Sequence, residues 1–313
     1  MKSKILHFLC IGFLGFSLQA YGQVEIPKLK EHVYYLSSDA MKGRATGSKE
    51  NKKAARYIER EFKKMGLTPK GENGFRQPFT AKVTRVIVKD SLRKAENIIG
   101  FLDNQAAKTI VIGAHYDHLG LGKDGGSRDS THIGHIHNGA DDNASGVAGL
   151  LELARHYTSN GITEPYNILF IAFGAEELGL LGSKHFVEQP TVKLQDIHWM
   201  LNFDMIGRYN PANGLAIIGY GTSPGFKPIL SDINTSLKYH KSHDGSGGSD
   251  QTSFYRKDIP VLFFHTGGHE DYHKKGDTAE KINYQAMMQI LQLAIQAIDN
   301  SMKQADLPFQ ATN

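Results

Sequence analysis

Four short apolar runs, rich in β-branched and aromatic residues, constrain the fold of this chain most strongly. They cover residues 109–114, 167–173, 199–203 and 261–264. Runs of this length and composition are typical of strands that are buried on both faces of a parallel sheet. Segments with helical spacing lie between them. This alternation of strands and helices predicts an α/β fold.

The remaining segments add helices to this pattern and make the sheet mixed. Helical spacing is found over residues 26–36, 49–65, 147–157, 176–187, 224–239 and 284–301. Residues 79–88 and 97–102 alternate between apolar and polar side chains, as antiparallel strands do. We therefore predict a three-layer α/β/α sandwich with a mixed, mostly parallel central sheet. No segment rich in Pro, Gly or Ser divides residues 23–313, so they are expected to form a single domain.

The first 22 residues have the pattern of a secretory signal peptide. Lys2 and Lys4 precede an apolar run over residues 5–18. The small residues Ala20 and Gly22 then occupy the −3 and −1 positions of a cleavage site before Gln23. The apolar run is short for a membrane span. The pattern predicts an exported protein, periplasmic or secreted, with no stable membrane anchor after cleavage.

Cysteine usage limits the chemistry of the exported chain. The single cysteine, Cys10, lies inside the predicted signal peptide. After cleavage the chain would have no disulfide, no thiol nucleophile and no thiolate zinc site. Any metal ion must therefore be held by His, Asp and Glu.

The charge pattern argues against a nucleic-acid partner. The chain has 36 Lys and Arg residues and 32 Asp and Glu residues, and its formal net charge is +4. Both signs are mixed along the sequence, without a basic block. We expect an ordinary charged surface.

Metal-ligand residue types follow the predicted buried strands. They are His115 and Asp117 after the first strand, Glu176 and Glu177 after the second, Asp204 after the third, and Tyr272 and His273 beyond the fourth. Asp141 and Asp142 lie in the loop before the helix at 147–157. The carboxyl ends of parallel strands meet at one edge of a sheet, where α/β proteins bind ligands. This convergence predicts a metal site.

Five segments resemble the dinuclear zinc aminopeptidases of peptidase family M28. They are GAHYD (113–117), NGADDNASG (138–146), FGAEELG (173–179), NFDMIGR (202–208) and YHKKGDT (272–278). Their order and spacing match the family over roughly residues 28–300. The α/β/α fold of the family agrees with the pattern of strands and helices described above.

The resemblance implies two zinc ions per chain and five metal ligands. The implied ligands are His115, Asp141, Glu177, Asp204 and His273. Asp141 would bridge the two ions. His115 and Asp204 would complete one site, and Glu177 and His273 would complete the other.

The resemblance also implies roles for four residues that do not bind metal. Glu176 would be the general base, and Tyr272 would polarise the substrate carbonyl or stabilise the oxyanion. Asp117 would orient His115 from behind, as imidazole ligands generally require. Asp142 would support the site next to Asp141, and the family pattern implies a cis peptide bond between these two residues.

The function implied is that of an exported, zinc-dependent aminopeptidase that hydrolyses N-terminal residues from peptides through a metal-bridging hydroxide. Three alternatives stay open: a glutaminyl cyclase with one zinc ion, a carboxypeptidase on the same scaffold, and an inactive binding protein. The sequence does not determine the preferred side chain, the native metal or the oligomeric state.

A histidine cluster, two arginines and a glycine-rich loop are further candidates for a part in the site. His132, His135 and His137 cluster in a long loop, where they could form a third metal site or, more simply, a polar rim. Arg208 and Arg256 could bind a substrate carboxylate or, more simply, be solvated or form structural salt bridges. The glycine-rich loop at 242–250 is expected to shape the substrate pocket.

Overall fold

The structure, a computed structural model, describes residues 22–312. The predicted signal peptide, apart from Gly22, lies outside the described residues. Within residues 22–312, no helix combines the length and the apolar character needed to cross a bilayer.

Nine strands form a single sheet. They are β1 (Thr68–Pro69), β2 (Arg76–Lys82), β3 (Leu92–Leu102), β4 (Thr109–His115), β5 (Asn167–Phe173), β6 (Ile197–Phe203), β7 (Leu215–Ile218), β8 (Tyr239–Ser242) and β9 (Val261–His265). The α-helices of the described residues are α1 (Ile26–Leu36), α2 (Lys49–Lys64), α3 (Gly146–Ser159), α4 (Leu181–Glu188), α5 (Phe226–Ser231), α6 (Gln251–Tyr255) and α7 (Tyr284–Ser301).

The sheet has a parallel centre with antiparallel pairings on both sides. The strand order is β1-β3-β5-β4-β6-β9-β7-β8, and β2 pairs with β3. Strands β5, β4, β6 and β9 are parallel to one another. Strand β3 is antiparallel to β5, and β7 is antiparallel to β9. The predicted α/β fold with a mixed sheet is confirmed.

Helices cover both faces of the sheet. The larger apolar core joins α1, α2, α3, α5 and α7 to one face, where Ile110 and Ile112 of β4 lie. The smaller core joins α4 and α6 to the other face, where Val111 lies. Successive side chains of a strand point to opposite faces, so one fully buried strand contributes to both cores. Trp199 Nε1 donates to Ser301 Oγ at 3.0 Å and ties α7 to the sheet.

The structure differs from the sequence prediction in three segments. The helix predicted at 176–187 begins only at Leu181, because Ala175 (φ 57°) and Leu180 (φ 61°) adopt left-handed conformations that form a turn. The strand predicted at 79–88 is β2, which begins earlier and ends earlier, at Arg76–Lys82. Residues 83–91 then connect it to β3. The helix predicted at 224–239 is replaced by α5 and β8.

The last difference has a local cause. Helix α5 ends before a polar stretch, in which the Leu237 N–H donates to Thr235 Oγ1 at 3.1 Å. Such bonds from the main chain to short polar side chains compete with the hydrogen bonds of a helix. The chain then forms β8, which pairs with β7 at the edge of the sheet. Both strands are short, and their patterns were too weak to predict them.

A buried arginine connects the first helix to the centre of the fold. Arg44 donates hydrogen bonds to four main-chain carbonyls, those of Leu36 (2.6 Å), Asn138 (2.7 Å), Tyr116 (3.0 Å) and Gly139 (3.0 Å). These carbonyls belong to the end of α1, the segment after β4 and the loop before α3. Burial lowers the pKa of Arg44 to about 10, so the guanidinium still carries its charge at neutral pH.

We expect Arg44→Met to destabilise the fold strongly. Four carbonyls would lose a charged donor, and nearby buried carboxylates would lose a counter-charge. The expected loss is roughly 3–5 kcal/mol of unfolding free energy, measured by urea denaturation in the presence of a chelator. Arg256→Met is the matched control, because Arg256 is exposed; it should change stability by less than about 0.5 kcal/mol. Equal stabilities for the two variants would contradict the role of Arg44.

Candidate metal centre

The predicted ligands come from strand ends and loops at one edge of the parallel centre. Strand β4 ends at His115, and β6 ends immediately before Asp204. The turn after β5 carries Glu177, and the loop after β9 carries His273. Asp142 lies in the irregular segment that precedes α3. The parallel order of the strands brings these distant segments together.

The first ligand group contains His115, Asp142 and Asp204, all of them buried. His115 Nε2 lies 3.3 Å from Asp142 Oδ1 and 3.4 Å from Asp204 Oδ1. The other ring nitrogen, Nδ1, lies 3.2 Å from the main-chain carbonyl of Asp117. That contact fixes the ring so that Nε2 faces the two carboxylates, as a metal ligand requires.

A second group is built around the other oxygen of Asp142. His273 Nε2 lies 3.0 Å from Asp142 Oδ2 and 3.4 Å from Glu177 Oε1. His273 Nδ1 is hydrogen-bonded to the main-chain carbonyl of Gly126 at 2.8 Å, and this contact fixes the orientation of the ring. Asp142 therefore presents one carboxylate oxygen to each group.

The donor atoms of both groups fit metal ions. His115 Nε2, Asp204 Oδ1 and Glu177 Oε1 are buried and have no hydrogen-bond partner among the described residues. Buried polar atoms normally have partners, so several orphans at one point need a cation. Imidazole and carboxylate groups are suitable ligands for zinc.

Without a metal ion, protons would take part of its place. Burial disfavours a charged His273, but Asp142 and Glu177 outweigh burial and raise its pKa to about 11. Burial also opposes protonation of His115, while Asp204 and other carboxylates raise its pKa well above the usual value. Burial and Asp142 oppose ionisation of Glu177, yet its imidazole neighbours lower its pKa to about 2.

Asp141 does not join either group. Its Oδ1 accepts from the Gly207 N–H at 2.6 Å and from Ser145 Oγ at 3.1 Å. Its Oδ2 lies 3.2 Å from His269 Nε2. The structure thus places Asp142 at the position that the sequence analysis expected for Asp141.

The cis peptide bond lies one residue further along than expected, between Asp142 and Asn143. The prediction of a cis bond between Asp141 and Asp142 is wrong. Two adjacent, identical residues give no signal about which side chain faces inward. That choice depends on the backbone of the loop.

Asp277 holds this loop and was not predicted. Its carboxylate accepts from the N–H groups of Asp141 and Asp142, each at 3.0 Å. Burial raises the pKa of Asp277 to about 6, and the charge of Asp141 adds to this effect. The only signal in the sequence was an acid four residues after His273. The loop that carries His273 therefore also fixes the backbone at Asp142.

Asp117 contacts more than its predicted partner. The carboxylate accepts from Thr46 Oγ1 at 2.9 Å and from the main-chain N–H groups of Glu176 (3.0 Å) and Glu177 (3.4 Å). Its carbonyl, and not its carboxylate, makes the closest contact with His115 Nδ1. Asp117 thus links the end of β4 to the turn that carries both glutamates.

Glu176 and Tyr272 line a cavity of about 360 Å³, together with Asp142, Glu177 and Asp204. Glu176 Oε2 lies 3.9 Å from His115 Nε2. Burial raises the pKa of Glu176 well above its usual value, and neighbouring carboxylates raise it further, although His115 opposes them. Burial also raises the pKa of Tyr272, whose ring stacks on His273.

One wall of this cavity is apolar. It includes Met205, Ile218 and Phe263, and the last two are cross-strand partners in β7 and β9. Gly248 contributes from the loop at 242–250, which was expected to shape the pocket. Arg85 is exposed and lines the same cavity. The pocket therefore combines an acidic floor, an apolar wall and a cationic side chain.

A family model matches most of the chain. The model of peptidase family M28 covers residues 97–298. The chain belongs to peptidase family M28.

A curated relative and two solved structures are similar to this chain. The chain is 29% identical over 230 residues to "Aminopeptidase YwaD" of Bacillus subtilis, a match that covers 68% of this chain and 46% of that protein. A "Zn-dependent exopeptidase" from Parabacteroides distasonis superposes with a TM-score of 0.71 at 18% identity, covering 90% of this chain and 98% of that one. A Bacteroides thetaiotaomicron glutaminyl cyclase gives 0.70 at 21% identity, covering 89% and 98%.

At such low identity, the two solved structures establish the fold only. The chain also spans only about a third to a half of the length of three curated relatives that it matches.

The loop histidines do not form a further metal group. His137 is buried, and its Nε2 lies 2.8 Å from Ser127 Oγ. The rings of His132 and His135 contact each other edge to face at 5.3 Å. Within residues 22–312, the groups that could hold a metal ion do not include these three histidines. Arg208, one of the two ambiguous arginines, forms a salt bridge to Asp271 at 3.1 Å.

The exchanged positions of the two aspartates give a direct test. We expect Asp142→Asn to bind clearly less metal per chain than the wild type, because both ligand groups lose a shared carboxylate. Asp141→Asn is the matched control and should keep the wild-type metal content. Metal content is measured by mass spectrometry after dialysis, with circular dichroism to confirm folding. Loss of metal from the Asp141 variant alone would contradict this assignment.

The raised histidine pKa values predict that metal binding releases protons. At pH 8 the metal-free protein holds a proton on His273, whose pKa is about 11. A metal ligand must be unprotonated, so loading the site expels this proton and affinity rises with pH, roughly tenfold per unit for each proton released.

Calorimetry in buffers of different ionisation enthalpy measures the number of protons released. His273→Ala is the control and should release fewer protons than the wild type. An observed enthalpy that does not depend on the buffer would contradict the prediction.

Proposed function

We propose that this chain is a zinc-dependent aminopeptidase that hydrolyses N-terminal residues from peptides. The observation that carries the proposal is the pair of candidate ligand groups, one with His115 and one with His273, that share Asp142 at the floor of an acidic pocket. The name of the curated relative YwaD supports it. We also propose that residues 23–313 act as one domain, and that the signal-like segment at 1–22 directs export.

We propose two zinc ions per chain. His115, Asp142 and Asp204 would hold one, and Asp142, Glu177 and His273 would hold the other. Two zinc ions held in this way lower the pKa of water and polarise a carbonyl group. In this assignment Asp142 would contribute to both groups, the role first expected for Asp141.

Glu176 is the proposed general base. It lies in the pocket near His115 and is not needed as a ligand in either group. A glutamate with a raised pKa can accept a proton from the attacking water and deliver it to the leaving amine. The Asp117 carboxylate fixes the backbone of the turn that carries Glu176 and Glu177. In this proposal Glu176 acts as the base, and Glu177 would be a metal ligand.

Tyr272 is the proposed donor to the substrate carbonyl. Its raised pKa keeps the phenol protonated over the physiological range, so it can donate a hydrogen bond. As negative charge develops on the carbonyl oxygen, that hydrogen bond strengthens and lowers the barrier. Stacking on His273 fixes the ring in the pocket.

The pocket favours a free N-terminus and an apolar first residue. The carboxylates of Glu176, Glu177 and Asp204 attract the α-ammonium group of a peptide. The wall formed by Ile218 and Phe263 offers an apolar surface to the first side chain. Each methylene that such a wall buries is worth roughly 1–3 kcal/mol in selectivity. We therefore propose leucine-like residues as the preferred first residue.

One observation supports a second candidate, a carboxypeptidase. Arg85 is exposed and lines the pocket, where it could bind a substrate carboxylate. Arg208, considered earlier for that role, is paired with Asp271. Glutaminyl cyclase remains an alternative at the level of the fold, but two ligand groups around one shared carboxylate favour two ions over one.

The decisive experiment follows one peptide that begins with leucine, with its N-terminus either free or acetylated. The purified chain 23–313 with zinc should remove residues stepwise from the free peptide only, as mass spectrometry would show. Glu176→Gln should reduce kcat by roughly 10²–10⁴ without loss of bound metal. Because this variant should fold and bind metal as the wild type does, a loss of activity in it would report on the base alone.

Other outcomes separate the alternatives. Loss of residues from the C-terminus of both peptides would replace the proposal with a carboxypeptidase that uses Arg85. Loss of ammonia from a peptide beginning with glutamine, without cleavage, would replace it with a cyclase. Full activity of the Glu176 variant would refute the proposed base.

A further inference from the structure

His118 is a buried imidazole at the centre of the site that none of the proposed roles uses. It lies three residues after His115, and its side chain is fully enclosed. Its Nδ1 lies 2.9 Å from Glu177 Oε1 and 3.9 Å from Asp142 Oδ1. Neither ring nitrogen has a hydrogen-bond partner among the described residues.

This pattern is unusual for a structural histidine. A buried imidazole normally has a hydrogen bond to at least one of its nitrogens. His115 and His273 follow that rule, since each turns Nδ1 to a main-chain carbonyl and Nε2 to the carboxylates. His118 has the opposite orientation, with Nδ1 directed at the carboxylates.

The ring of His118 is held in place by close packing. Gly139 (φ 62°) lies directly against it, and a Cβ atom at Gly139 would come within 2.5 Å of His118 Cδ2. On another side, the His118 ring meets the His273 ring edge to face, with centroids 5.9 Å apart. Only glycine leaves room at position 139, so the backbone there and the ring position depend on each other.

The geometry points to His118 Nδ1 as a further protein ligand of the metal ion that Asp142, Glu177 and His273 hold. His118 Nδ1 and His273 Nε2 both approach the same atom, Glu177 Oε1, at 2.9 Å and 3.4 Å. One candidate donor atom from each of His118, Asp142 and Glu177 also lies within 4.8 Å of the other two, so these side chains can reach one ion. This inference rests on the proposed two-metal function, because it adds a ligand to one of the two proposed sites.

A fourth protein ligand makes the two sites unequal. Four protein ligands close a tetrahedral zinc site, whereas three leave a position open for water or substrate. The site with His118 would be closed, and the site with His115, Asp142 and Asp204 would be open. Glu176, the proposed base, lies 3.9 Å from His115 Nε2, next to the open site. We therefore assign tight metal retention to the closed site and exchange to the open one.

The test measures the dissociation constants of both ions by competition with a chromophoric chelator. Wild-type protein should show one tight and one weaker ion. His118→Gln keeps much of the side-chain volume and should weaken the tight ion at least about tenfold. His118→Ala provides a second variant. His137→Gln is the matched control, because His137 is buried in the neighbouring loop and is bonded to Ser127.

Two further readouts do not depend on catalysis. The visible absorption of cobalt-loaded protein should change in the His118 variants and not in the His137 variant, because a nitrogen ligand is lost. The rise in Tm on adding metal should also shrink only in the His118 variants.

The outcomes separate this inference from the proposed function. If the wild type binds two ions and His118→Gln leaves both dissociation constants within about twofold, His118 is not a ligand and the two-metal proposal stands. If the wild type binds one ion or none, the two-metal function itself fails and this inference fails with it.

Discussion

The structure depends on the compensation of negative charge that is buried at one edge of the sheet. Six carboxylates of the site are buried there: Asp117, Asp141, Asp142, Glu177, Asp204 and Asp277. An unpaired buried carboxylate costs several kcal/mol. Among the described residues, the buried basic side chains of the site are Arg44, His115, His118 and His273. Three of these four are imidazoles, which are charged only when they hold a proton. The buried negative charge is therefore compensated either by protons on the imidazoles or by metal ions. An imidazole nitrogen that holds a proton cannot bind a metal ion at the same time.

The fold keeps this unfavourable arrangement in place through main-chain contacts. Arg44 binds the carbonyls of Tyr116 and Gly139, and Asp277 binds the N–H groups of Asp141 and Asp142. Hydrogen bonds to the main chain fix the course of a loop whatever its side chains do. The ligand side chains are then left free to face one another. A site built in this way is organised before any ion arrives, which reduces the free-energy cost of binding one.

The parallel centre and its edge could be predicted because both follow from residue type. Buried parallel strands have continuous apolar patterns, and the residues that follow them must meet at one edge, so His115 and Asp204 could be placed. The exchange of Asp141 for Asp142 could not be foreseen, since it depends on backbone dihedral angles in a loop. His118 and Asp277 were missed for a related reason: each acts through a contact between segments that are distant in sequence. Strands β7 and β8 were not predicted, because each has only four residues and so shows no clear alternation of apolar and polar side chains.

The order of strands also separates chemistry from selectivity. The proposed ligands His115, Asp142, Glu177 and Asp204 follow β4, β5 and β6 of the parallel centre, and His273 follows β9. The apolar wall includes Phe263 of β9 and Ile218 of its antiparallel neighbour β7. Strand β6 pairs with β9, so Asp204 at the end of β6 lies beside the wall that contains Phe263. A peptide with its ammonium group on the acidic floor would place its first side chain against this wall. Changes in β7 could therefore alter the preferred side chain while the ligand geometry, which depends on other strands, stays the same.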